Sequence, residues 1–242
     1  MKTLQTTSYI LVIALFCSSC VLINTQKDLH GDQNLVEKKE TFDAFDQITV
    51  EGELNISVKQ GTEHSVRLVI DENLLEYVDV TYKDNHIKIS TDDDYLLKPT
   101  NKKQVIITTE NLKGVKISGM CDAEFLKIKS DALKINASGA THITGTIDAH
   151  QLTVNTSGTG DVKLLGSAEQ LTLKSSGASR FKGGSFEAEE AYIDISGASD
   201  VVIAVNSTLD IKASGASKIS YIGSPEVTKD VSGAASVKQL EQ

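Results

Sequence analysis

From residue 118 onward, apolar and polar residues alternate in short runs, and the runs are interrupted at nearly fixed intervals by the same corner. The copies are Ser118-Gly119-Met120, Ser138-Gly139-Ala140, Ser157-Gly158-Thr159, Ser176-Gly177-Ala178, Ser196-Gly197-Ala198, Ser214-Gly215-Ala216 and Ser232-Gly233-Ala234, so successive serines lie 20, 19, 19, 20, 18 and 18 residues apart. A fixed period of this length is the mark of a repeat architecture. Three and five residues before the serine stand Ile135 and Leu133, Val154 and Leu152, Leu173 and Leu171, Ile193 and Ala191, Ile211 and Leu209. Five residues after it stand Ile143, Val162, Phe181, Val201, Ile219 and Val237, with Ala123 a weak member of the first copy. A period of two is that of a strand with one face buried, so each repeat predicts two short strands.

A second turn signal closes each repeat: Gly145-Thr146, Gly166-Ser167, Gly184-Ser185, Asn206-Ser207 and Gly223-Ser224. Two turns per repeat with no helical pattern between them predict an all-β fold, a right-handed parallel β-helix whose narrow rungs of 18–20 residues stack about 4.8 Å apart. The glycines Gly119, Gly139, Gly158, Gly177, Gly197, Gly215 and Gly233 are then structural corners, where tight stacking leaves no room for side chains and the backbone needs a positive φ. A phosphate cradle would require a helix to start after the glycine, and none is predicted.

From Phe42 to Lys116 the corner is absent but the alternation persists, as in Ile48/Val50, Leu54/Ile56/Val58, Val66/Leu68/Ile70, Val78/Val80, Ile87/Ile89 and Val105/Ile107. These read as strands with irregular connections, able to cap one end of a stack; Asp71 to Glu76 can form one helical turn, and Thr91 to Lys103 reads as a charged loop. The chain thus divides into an export signal over 1–20, a flexible tether over 21–41, irregular rungs over 42–117 and regular rungs over 118–242.

The signal rests on Lys2, an apolar run from Tyr9 to Phe16 too short to span a bilayer, and the sequence Cys17-Ser18-Ser19-Cys20. This ending resembles a bacterial lipoprotein signal, which implies Cys20 as the lipid attachment point and a membrane partner reached through that anchor. Once Cys17 is removed and Cys20 lipidated, Cys121 is alone, and it reads as a buried structural thiol.

Composition narrows the function classes. The chain has 242 residues, 40% hydrophobic, with no tryptophan and two prolines, and its formal charge of −9 comes with no basic run, which excludes nucleic acid as a partner. His30, His64, His86, His142 and His150 are dispersed without metal-ligand spacing, so no metal or other cofactor is expected.

The opening FDAFDQITVEGELNISVKQG, the strand pair ending NHIKIS and the units SGTGDV and SGASDV resemble the auto-transporter adhesin head GIN domain family, found in envelope proteins of Bacteroidetes, over about Phe42 to Val237. The resemblance implies a right-handed β-helical solenoid on an exported or lipid-anchored protein, with no established ligand or residue set; with the anchor, the expected location is the cell envelope, at the outer membrane.

One column has candidate chemistry. Four residues after each serine come Asp122, His142, Asp161, Arg180, Asp200, Lys218 and Ser236, whose charges nearly alternate in sign. On stacked rungs they predict a surface ladder of exposed ion pairs, each worth at most about 1 kcal/mol, and alternatively a binding face for a glycan or protein. A glycosidase would need two carboxylates flanking the scissile bond. Asp92, Asp93, Asp94, Glu189 and Glu190 supply no such pair, because adjacent strand residues point to opposite faces and the aspartates read as a solvated loop. The chain therefore reads as a non-enzymatic envelope module for adhesion or ligand binding, with an envelope scaffold lacking an external ligand as the alternative.

Overall fold

The computed structural model describes residues 26–101 and 104–241. The chain is all-β. Its strands are β1 Lys27–His30, β2 Leu35–Thr41, β3 Gln47–Gly52, β4 Asn55–Gln60, β5 Ser65–Asp71, β6 Val78–Lys83, β7 His86–Thr91, β8 Tyr95–Lys98, β9 Gln104–Thr109, β10 Gly114–Gly197, β11 Asp200–Ala213, β12 Lys218–Ile222, β13 Glu226–Val231 and β14 Ser236–Leu240. A 3₁₀ helix, Glu72–Tyr77, links β5 to β6. β10 runs on through successive Ser-Gly corners, at each of which the glycine turns the extended chain with a positive φ.

The repeats pair in parallel with their own predecessors. Arg180 to Gly183 of β10 lie opposite Asp200 to Ile203 of β11, Asp200 to Ala204 opposite Lys218 to Ile222 of β12, and Lys218 to Ile222 opposite Ser236 to Leu240 of β14. β10 continues the register back to β3 and β4, pairing Gly119 with Gly52 and Asp122 with Asn55. At the corners the same step is made by backbone hydrogen bonds: the amides of Ala198, Ala216 and Ala234 each donate at 2.8 Å to the carbonyls of Gly177, Gly197 and Gly215.

A wholly parallel stack is not what forms. In the first part β9 runs parallel to β4 but antiparallel to β5, β5 is antiparallel to β2, and β6 is antiparallel to β7. The cause of the last reversal is local. Asp84 and Asn85 sit at φ +52° and +59°, and a two-residue loop with both central φ values positive matches the twist of a hairpin.

Two sequence expectations are corrected here. The flexible tether over 21–41 does not extend across its second half, because β1 pairs with β8 and β2 lies along the whole of β5. The charged loop over 91–103 likewise contains β8, whose register with β1 runs from Lys27↔Tyr95 to His30↔Lys98. Polar composition hid these strands, since an edge strand with exposed faces needs only backbone partners.

The core is the column set that the alternation marks. Leu133, Leu152, Leu171 and Leu209, then Ile135, Val154, Leu173, Ile193 and Ile211, and on the second strand Ile143, Val162, Phe181, Val201 and Ile219 are all buried. Close packing leaves no room at some inward glycines: a Cβ at Gly145 would lie 2.6 Å from Phe125 Cβ and its carbonyl oxygen, and one at Gly183 would meet the Phe181 ring at 2.5 Å.

The last rung departs from this code. Lys229 lies opposite Ile211, and Gln239 opposite Tyr221, at positions that earlier rungs fill with aliphatic or aromatic side chains. Gln239 Nε2 donates to the Gly223 carbonyl at 2.6 Å. Both residues are exposed, and a charge and an amide at these positions on the outermost strands discourage pairing with another chain.

Candidate functional site

All seven corner glycines lie between φ +73° and +125°. Each sits on its predecessor one rung away, so a Cβ at Gly139, Gly158, Gly177, Gly197 or Gly215 would meet the carbonyl oxygen of the glycine beneath. The corners form a ridge with no side chains. A shallow groove runs along each flank of that ridge.

The flank that follows the glycine is a groove of about 520 Å³, lined by Asp122, His142, Asp161, Arg180 and Asp200 together with small residues such as Ala178 and Ala198. Five members of the charged column thus come together on one surface, and register adds Lys218 beside Asp200. One ion pair is closed across it: Arg180 Nη1 donates to Asp161 Oδ1 at 3.1 Å and to Oδ2 at 3.3 Å, with the guanidinium about half exposed. Arg180 also stands opposite Asp200 in the ladder, so the residue is flanked by an aspartate on each neighbouring rung while its guanidinium closes on Asp161. Solvent screening keeps such a pair weak. The arrangement sets donors and acceptors of both signs along one open groove.

The flank that precedes the serine is a groove of about 420 Å³ lined by Asn136, Asn155, Lys174, Ser176, Asp194 and others. Asn155 Nδ2 donates to Asn136 Oδ1 at 2.8 Å, an amide ladder between rungs. Between the two grooves lies a buried hydroxyl cluster that the sequence reading missed. Ser175 Oγ donates to Ser179 Oγ at 3.1 Å, and the Ser175 and Ser199 hydroxyls lie 3.0 Å apart. Thr156 Oγ1 joins them at 3.1 Å from Ser179 Oγ. Recurrence of serine three residues after the corner serine, at Ser179, Ser199 and Ser217, was the available signal. No buried side-chain nitrogen or oxygen among the described residues lacks a partner, so the cluster pins the corner from inside.

The remaining residues weighed from the sequence do not converge. Glu189 accepts from Asn206 Nδ2 at 3.0 Å while Glu190 accepts from Gln170 Nε2 at 3.3 Å, and the two line separate grooves. Asp92 Oδ1 accepts from the Asp94 amide at 2.9 Å in a tight exposed turn. His150 contacts Glu169 at 2.9 Å, His64 faces Thr109 and His86 faces Thr49. Among the described residues no three His, Cys, Asp or Glu side chains are placed to hold a metal ion. Cys121 is buried, its thiol donating to the Gly52 carbonyl at 3.2 Å. Cys20 lies outside the described residues.

Comparison with known proteins points one way. The family model for the putative auto-transporter adhesin, head GIN domain, matches residues 44–225. Solved structures with a similar fold include a putative adhesin from Bacteroides fragilis NCTC 9343, at 23% identity and a TM-score of 0.79. A putative lipid binding protein from Parabacteroides distasonis ATCC 8503 matches at 20% identity and 0.72, and a putative adhesin from Parabacteroides merdae ATCC 43184 at 22% and 0.62. Each covers 88% of this chain, and 99–100% of the solved chain is matched. No curated protein matches.

Proposed function

The chain belongs to the putative auto-transporter adhesin, head GIN domain family, and from that premise we propose that it is a non-enzymatic envelope protein that presents a rigid binding surface. The observation that carries this reading is the groove beside the corner ridge, where Asp122, His142, Asp161, Arg180 and Asp200 stand on consecutive rungs. Backbone hydrogen bonds hold those rungs in register, so the points from which the side chains project are fixed before any ligand arrives, which reduces the entropy lost on binding. The parallel registers and the 18–20-residue period favour a right-handed parallel β-helix for the repeat region, joined to an antiparallel N-terminal part.

In this reading the protein is exported and held in the envelope, at the outer membrane, by lipid on Cys20. The link between anchor and body is then short, since pairing begins at Lys27. A mixed-sign groove suits a protein or glycan ligand with polar groups spread over several rungs. It does not suit nucleic acid, against which a chain of net charge −9 is repelled.

Two substitutions test the reading. Cys20→Ala should abolish detergent-phase partitioning of the full chain, and unchanged lipid labelling of that variant rules the anchor out. Arg180→Glu places three carboxylates on consecutive rungs, whereas Arg180→Ala only removes one exposed pair. The first should therefore lower the thermal midpoint more than the second, with the gap, about 1 kcal/mol, closing at 1 M salt. Binding of the full chain to a host-matrix and glycan array should fall with both variants. If wild type binds and both variants bind equally well, the groove is not the site.

A further inference from the structure

The face of the repeats that precedes the corner carries a second pattern, independent of the charged column. Its outward columns are rich in amides and hydroxyls. Gln151 Nε2 donates to Gln170 Oε1 at 3.2 Å, and Gln170 Nε2 to Glu190 Oε2 at 3.3 Å, so three consecutive rungs are linked by one chain of side-chain hydrogen bonds. Beside them, two residues along each strand, stand Thr153, Thr172, Tyr192 and Asp210, with Tyr192 directly opposite Asp210.

Tyr192 is distinctive. Among the described residues after 118, the other aromatic rings are those of Phe125, Phe181 and Phe186, all buried, and of Tyr221, which packs on the core. Tyr192 instead is half-buried on the outward surface and lines a groove of about 490 Å³ with Gln170, Thr172, Glu190, Asp210 and Thr228. Its hydroxyl lies 3.5 Å from Asp194 Oδ2, at the limit of a hydrogen bond, and the Lys212 ammonium stands 5.7 Å from the ring centre. That ammonium lies over a face of the ring, and because Lys212 is exposed on a flexible stem, a ligand stacking on that face displaces it into solvent.

We propose that this groove is a saccharide-binding subsite, in which a sugar ring stacks on Tyr192 while Gln170, Glu190 and Asp210 hydrogen-bond its hydroxyls. The proposal rests on the ligand-binding reading above and assigns it a second face and a ligand class. An aromatic ring supplies a flat apolar surface with a weakly negative face, which complements the C–H side of a pyranose. Carboxylates and amides beside it accept and donate to vicinal hydroxyls, and charged acceptors make the stronger bonds. The groove crosses four rungs, from Gln170 to Thr228, with a fresh row of polar groups about every 4.8 Å. That geometry fits an internal segment of a linear, uncharged polysaccharide. An extended peptide would instead need a free strand edge to pair with, and this surface is the face of a sheet.

The test is affinity electrophoresis of the purified full chain in native gels containing mixed-linkage β-glucan, galactomannan or dextran. Wild type should be retarded by at least one polymer. Tyr192→Ala should weaken that retardation about ten-fold, the loss of one stacking contact, while Tyr192→Phe keeps it because the ring and not the hydroxyl does the stacking. Tyr192→Phe should melt within about 2 °C of wild type and Tyr192→Ala within about 4 °C, since only part of a half-buried ring's contacts is lost. The proposal is overturned if none of the three polymers retards wild type, or if Tyr192→Ala is retarded as strongly as wild type. Retardation lost with Arg180→Ala but kept with Tyr192→Ala would also overturn it, placing the ligand in the charged groove and leaving the broader binding function intact.

Discussion

Gly177→Val and Gly197→Val each lower the stability of the protein by about 2–6 kcal/mol, because two costs add at the same atom. Valine at φ +125° or +109° is strained, at about 1–3 kcal/mol. Its Cβ also collides with the carbonyl oxygen of Gly158 or Gly177 on the rung beneath, and overpacking of that kind costs about 1–3 kcal/mol more. Backbone cannot step aside there without breaking the hydrogen bonds that the Ala198 and Ala216 amides make at 2.8 Å. Gly184→Ala is the matched control. A Cβ at Gly184 finds only Val202 Cγ1 at 3.5 Å and Ile222 Cδ1 at 3.6 Å, which is ordinary contact, so this change should stay within about 0.5 kcal/mol. Chemical denaturation of the three variants checks the contrast. Equal midpoints for Gly177→Val and Gly184→Ala would show that the stacked corners do not carry load.

Asp71→Ala should cost about 2–6 kcal/mol. Asp71 is buried at the end of β5, and its carboxylate accepts from the Gln33 amide at 3.0 Å and from the Thr100 amide at 2.9 Å. It thereby ties the segments after β1 and after β8 to the main sheet. Its carboxyl also fills the space beside Gly31, where any Cβ would strike it. Truncation leaves two amides without their acceptor, at about 1–3 kcal/mol each.

The same carboxylate makes stability depend on pH. Burial works against its charge, yet the bonds from Thr100 and Gln33 outweigh that and hold its pKa below the ordinary carboxylate value. A depressed folded-state pKa contributes stability above the unfolded-state value, near 3.9, and that contribution is lost as pH falls through the folded value. The stability gap between wild type and Asp71→Asn should therefore be full at pH 7 and shrink below about pH 4. A gap that is constant from pH 7 to pH 3 would contradict the ionised clamp.

How much of this was legible beforehand differs from element to element. The inward columns from Leu133 to Ile219 could be read because strand alternation and a fixed period leave each apolar residue one destination. The corner glycines could be read because few residues tolerate positive φ in so tight a turn. Nothing comparable marks β1 and β2. Lys-Asp-Leu-His and Leu-Val-Glu-Lys-Lys-Glu-Thr bury almost nothing, and they became strands because β8 and β5 present edges to them. The β6–β7 hairpin had a local signal in Asp84-Asn85, weaker than a turn containing glycine.

For the candidate site, the recurring spacing placed Asp122, His142, Asp161, Arg180 and Asp200 in one column, and a single column is what they form. Their contacts were another matter. That Arg180 closes on Asp161, with Asp200 opposite it in the ladder, depends on side-chain rotamers that period alone does not specify. The Tyr192 groove was hidden for the same reason, since its walls come from residues 18–20 apart on separate rungs.

The sequence by itself determined the all-β class, the repeat period, the two sides of each strand and the residues that meet at the corners, because these are properties of one chain segment and its nearest copy. Only the tertiary structure decided which strands run antiparallel, that the segment before Phe42 is paired, and that Asp71 holds loops from β1 and β8 together. Those outcomes depend on edges, buried acceptors and space supplied by residues distant in the chain, and no local pattern encodes a partner that has not yet been brought near.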